Sequence, residues 1–193
     1  MKNGFQQLII GFVFVYFNIF LVVDILPNFL GYIFIFNGIK QLAISTSLPF
    51  QHLRSICILM VIASVPHFFP IESTTVVSWL SYYAYIMVIL KLIFMYMLFQ
   101  FLIEITSISN ESYPQMATAK IKRWYLSILT LSAFIEPFLI NMLVDVQVKM
   151  GLVILICNII IEFCFLIYLF KMRNYYSKGG PKQKINRAME LVR

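Results

Sequence analysis

The sequence predicts an all-α protein: a polytopic transmembrane helical bundle of six spans, with the N-terminus and the C-terminus both cytoplasmic. Three observations predict it. Of the 193 residues, 61% are hydrophobic and only 12% are charged, whereas a soluble domain needs about a quarter of its residues charged to coat its surface. Six apolar runs meet or approach the ~20 residues that carry a helix across ~30 Å of hydrocarbon at ~1.5 Å per residue. Lysine and arginine collect in alternate connecting segments, the pattern of cytoplasmic loops.

The six runs are 5–23, 29–44, 55–71, 79–103, 124–143 and 150–170. They form one transmembrane domain over 1–177, followed by a basic cytoplasmic tail over 178–193. The second and third runs are short for a full crossing. The first follows Met1-Lys2-Asn3 and resembles a signal sequence, but no small-x-small cleavage pattern follows it, so it is expected to remain as a first helix. Asp24-Ile-Leu-Pro27-Asn28 then reverses the chain with residues suited to a turn. Pro66 and Pro70 bracket His67 at the end of the third run. A long Ser- and Thr-rich loop is expected over 105–122, interrupted by Tyr113-Pro114.

Charge sets the orientation. Alternate segments hold Lys2; Lys40 and Arg54; Lys120, Lys122 and Arg123; and seven basic residues from Lys171 to Arg193. The intervening segments hold only Lys149, and Lys91 lies inside a span. Thirteen of the fifteen Lys and Arg residues therefore fall on one side. The net charge of +7 is placed for anionic lipid headgroups rather than nucleic acid. In the tail, Lys178, Lys182, Lys184 and Arg187 are the expected headgroup contacts. Residues 182–193 suit either a short helix lying on the inner leaflet or a frayed basic end.

Ionisable groups inside spans are costly and often functional. Lys91 lies 12 residues past Trp79 on the fourth span, and Glu162 lies 12 past Met150 on the sixth. Both spans run in the same direction, so both side chains sit at about 18 Å from the outer surface and form a candidate intramembrane ion pair. Asn158, one turn before Glu162, extends that polar face. Glu136 on the fifth span has Ser132 one turn before it and Pro137 after it. Proline leaves a carbonyl near Ala133 without its helix partner, one way to build a polar pocket in a membrane. One reading is thus an outward-facing polar cavity lined by His67, Glu136, Asp24 and Ser132, with the ion pair beneath. The other is a set of polar contacts that fix helix register, with Asp24 serving a helix N-terminus.

Gly31 and Gly38, and Gly11 with Asn18, place small or polar residues seven apart on single helix faces, a pattern that favours close helix packing. Cys57, Cys157 and Cys164 lie in apolar runs and read as inert packing residues. With two His, no metal or cofactor site is expected, and no Walker loop, HExxH or G-x-S-x-G motif is present. Enzyme activity is disfavoured on these grounds.

The stretch Asp24-Ile-Leu-Pro27-Asn-Phe-Leu-Gly31-Tyr32 resembles a DILPxxxGY hairpin of small uncharacterised membrane proteins of Gram-positive bacteria. The resemblance covers about 15 residues and implies a bacterial cytoplasmic membrane. In length and span count the chain is also similar to the substrate-binding subunits of energy-coupling-factor vitamin transporters. Those carry an Ala-rich first helix, whereas 5–23 here has no Ala. The expected function is that of a non-enzymatic regulatory or accessory subunit that binds another membrane protein. The alternative is a small-solute transporter or substrate-capture subunit.

Overall fold

The computed structural model describes residues 1–20, 28–65, 77–108, 112–139 and 142–177. Over them the chain is all-helical, with no strands, and six helices follow in order: α1 (Lys2–Phe20), α2 (Asn28–Thr46), α3 (Gln51–Ser64), α4 (Val77–Ile108), α5 (Ser112–Leu139) and α6 (Val144–Ser177). Asp24, His67 and the tail residues Lys178, Lys182, Lys184 and Arg187 lie outside the described residues.

Among the described residues, two stretches are long and apolar enough to cross a membrane, Tyr85–Ile108 of α4 and Val144–Ser177 of α6, whose most apolar 18 residues have mean hydropathy 2.4 and 2.7. Neither Gly nor Pro interrupts α4, and α6 is apolar on all sides. α3 is apolar but has only 14 residues, about 21 Å of rise. α5 has the length, but it carries Lys120, Lys122, Arg123 and Glu136.

The helix ends follow from local chemistry. α2 stops where Ser47 adopts a left-handed backbone (φ 57), a conformation that terminates helices, and Pro49 then prevents their resumption. α5 begins at Ser112, so the loop expected over 105–122 is far shorter than predicted. Pro114 is its third residue, where a missing N–H costs nothing because first-turn donors have no helical partner. The Thr118 hydroxyl donates to the Pro114 carbonyl at 2.7 Å and steadies that turn.

Glycine sets the α1–α2 crossing. A Cβ at Gly11 would lie 2.6 Å from the Gly31 carbonyl oxygen, and one at Gly38 would lie 2.9 Å from that of Gly4. The two backbones therefore touch at two levels, seven residues apart on each helix. On α1 the close contacts fall at Gly4 and Gly11.

Phe5 of α1 stacks on Tyr176 of α6 at 5.4 Å, and Phe12 meets Phe165 edge-on at 5.0 Å. The core centres on Phe165, which also packs on Phe99 of α4 and Tyr125 of α5. These contacts gather the start of α1, the end of α2, the start of α3, the end of α4, the start of α5 and the end of α6 at one end of the bundle. That end carries Lys2, Lys40, Arg54, Lys120, Lys122, Arg123, Lys171 and Arg173. Among the described residues, the opposite end carries Lys149, with Asp145 and Glu136.

Candidate functional site

Lys91 projects from the middle of α4 and Glu162 from the middle of α6. The Lys91 ammonium donates to Glu162 Oε1 at 2.7 Å. The Glu162 side chain is 6% exposed and that of Lys91 24%, so the carboxylate is enclosed and the Lys91 side chain is partly exposed. The Tyr16 ring of α1 lies 5.8 Å from the ammonium, with its face available to the cation. Phe165, one turn beyond Glu162 on α6, is fully buried.

Further polar contacts flank the pair along α6. Toward the end bearing Asp145 and Glu136, Ser132 of α5 donates to Asn158 Oδ1 at 3.3 Å. Near the pair, the hydroxyls of Tyr16 and Tyr125 share a hydrogen bond at 3.2 Å. Toward the basic end, the Thr118 and Tyr168 hydroxyls meet at 2.7 Å. The polar side chains thus form a ladder between helices, one rung every turn or two. Each rung fixes the register of two helices, since an unpartnered polar group inside an apolar bundle is costly.

Of the four residues predicted for a polar cavity, only Ser132 and Glu136, one turn apart on α5, fall among the described residues. Ser132 is buried and belongs to the Asn158 rung. Glu136 is half-buried, with Lys91 and Tyr85 in electrostatic reach. Asp24 and His67 lie outside the described residues. Among those described, no three His, Cys, Asp or Glu side chains converge as metal ligands.

The cysteines require a correction. Cys57 is buried, its Sγ 3.7 Å from the Tyr32 carbonyl. Cys157 and Cys164 are exposed. Their seven-residue spacing does put them on one face of α6, but on the face turned away from the bundle. On a helix that is apolar all round, sequence alone does not mark which face is inside.

The sequence reading missed Tyr16, Tyr125, Thr118 and Tyr168. Tyrosine within an apolar run reads as bulk, and its hydroxyl gains meaning only once the helices are in register. Comparison with protein-family models, with curated proteins and with solved structures finds no match for this chain.

Proposed function

We propose that the chain crosses a bacterial cytoplasmic membrane six times, with both termini in the cytoplasm, and acts by association as a non-enzymatic accessory or regulatory subunit. The observation that carries this reading is the ladder. The bundle's central polar side chains are engaged with one another across helices, and polar groups spent on register are not held ready for a substrate. The one-ended basic charge supports the orientation. On α6 the segment between Lys149 and Lys171 holds one charge, Glu162, and rises about 32 Å, close to the hydrocarbon thickness. The surface left for a partner is largely apolar: Met142, Leu143, Val144, Val146, Val148 and Met150 are exposed, interrupted by Asp145, Gln147 and Lys149, and Leu152, Val153, Leu155 and Ile156 follow.

A second reading, solute capture, is favoured by the partly exposed Lys91 side chain and the half-buried Glu136 beyond it. Isolation of the tagged chain in native-lipid nanodiscs, followed by mass spectrometry, separates the two. A stoichiometric protein partner is the expected result. A lone chain that retains a small molecule would replace the first reading with the second.

A further inference from the structure

An open groove on the outward face of α5, about 490 Å³ in volume, is lined by Leu126, Ser127, Thr130, Leu131 and Phe134. These positions recur at three- and four-residue intervals and so share one helix face. One turn toward the basic end, the same face carries Arg123, which is exposed and makes no ion pair among the described residues. Trp124 beside it is also exposed, and tryptophan favours the headgroup level of a bilayer.

The two hydroxyls in the groove are the unusual feature. A Ser or Thr in a helix commonly satisfies its hydroxyl on the carbonyl of the preceding turn, and Ser45, Ser55, Thr106 and Thr118 do so here. Ser127 and Thr130 make no hydrogen bond through their side chains among the described residues. Their donors remain available to whatever fills the groove.

The geometry points to a binding site for one anionic phospholipid of the inner leaflet. Its phosphate rests on Arg123, its ester carbonyls accept from Ser127 and Thr130, and an acyl chain runs along Leu131 and Phe134. The order of groups is the argument. A cation alone would hold any anion, and an apolar trough alone any hydrocarbon. A cation, then hydroxyl donors one to two turns deeper, then apolar surface matches the phosphate, ester and acyl sequence of a phospholipid. The site rests on the proposed topology, which brings the basic end to the cytoplasmic headgroups.

The test uses the full chain with Trp79→Phe, which leaves Trp124 as the sole indole. It is reconstituted in mixed phosphatidylglycerol and phosphatidylcholine vesicles, brominated on the acyl chains of one lipid or the other at equal mole fraction. Brominated phosphatidylglycerol is expected to quench Trp124 well beyond its mole fraction. Arg123→Gln should reduce that preference about five-fold, the equivalent of ~1 kcal/mol per basic group at such a surface, and Arg123→Lys should retain most of it. Ser127→Ala with Thr130→Ala should weaken it at unchanged charge. Quenching that follows mole fraction for both lipids, or a preference indifferent to Arg123→Gln, overturns the site while leaving the spanning topology intact. Quenching by neither lipid overturns both.

Discussion

At the scale of single residues, Lys91 and Glu162 concentrate the electrostatic cost of the bundle. Each is an ionisable group far from either helix end, and each is made tolerable by the other. Their meeting was legible in the sequence because parallel helices of equal rise carry equal residue counts to equal depth. Which ring meets the pair was not legible, since Tyr16 looks like any other aromatic in an apolar run. Replacing Lys91 with Ala, or Glu162 with Ala, strands a charge in apolar surroundings. Each single change is expected to cost about 3–5 kcal/mol of stability, less where the survivor neutralises. Lys91→Met combined with Glu162→Leu removes both charges at similar volume and should recover much of that loss. Thermal unfolding in detergent of Lys91→Met and Glu162→Leu made singly, and of their double, gives the coupling. A loss in the double equal to the sum of the two singles would show that the residues do not interact.

At the scale of helices, glycine and proline act through position. The helical nature of all six segments was legible from their apolar content, but their ends were not. The Ser, Thr and basic residues of 105–122 suggested a loop, whereas α5 absorbs everything from Ser112 onward because Pro114 fits a first turn and Thr118 finds both a backbone carbonyl and Tyr168. The α1–α2 crossing was half legible: the Gly31–Gly38 stripe is plain, and its partner proved to be Gly4–Gly11. A larger residue at Gly11 or Gly38 must push two backbones apart. Gly11→Val and Gly38→Val are each expected to destabilise by about 1–3 kcal/mol, the usual cost of overpacking, read as a lower unfolding temperature. Gly151 is the matched control, since a Cβ there meets nothing within 4 Å. Gly151→Val should be neutral or stabilise by roughly a few tenths of a kcal/mol through helix propensity. Equal losses at Gly11 and Gly151 would mean that close approach is not what the α1 glycines serve.

For the whole molecule, the deciding feature is where charge lies along the bundle axis. Composition made the all-helical class legible, because so little charge leaves only helices able to satisfy their own backbones in an apolar solvent. The number of crossings is less legible. The described part of α3 is short, and α5 brings Lys120, Lys122 and Arg123 alongside the apolar stretch of α6: the Thr118–Tyr168 contact fixes that register, and the Lys122 ammonium sits 4.9 Å from the Tyr96 ring. These cations therefore lie a turn or more inward of Lys171, where long side chains can reach the headgroups while their stems stay in hydrocarbon. Among the described residues, eight Lys and Arg at one end against Lys149 at the other is a strong bias toward placing the first end in the cytoplasm. The topology is tested with single cysteines in a chain whose Cys57, Cys157 and Cys164 are replaced by Ala, labelled on intact cells with a membrane-impermeant maleimide. Cysteines at Ser45, Ser107 and Ser177 should stay unlabelled until the cells are opened, while those at Ser73 and Lys149 should label at once. Labelling at Lys149 and Ser177 from the same side would mean that α6 does not cross. Protection at Ser73 with labelling at Lys149 would remove the α3–α4 hairpin from the membrane-spanning set and leave four crossings. A complete reversal would keep six crossings but place the basic end outside, against the charge bias that supports the proposed orientation.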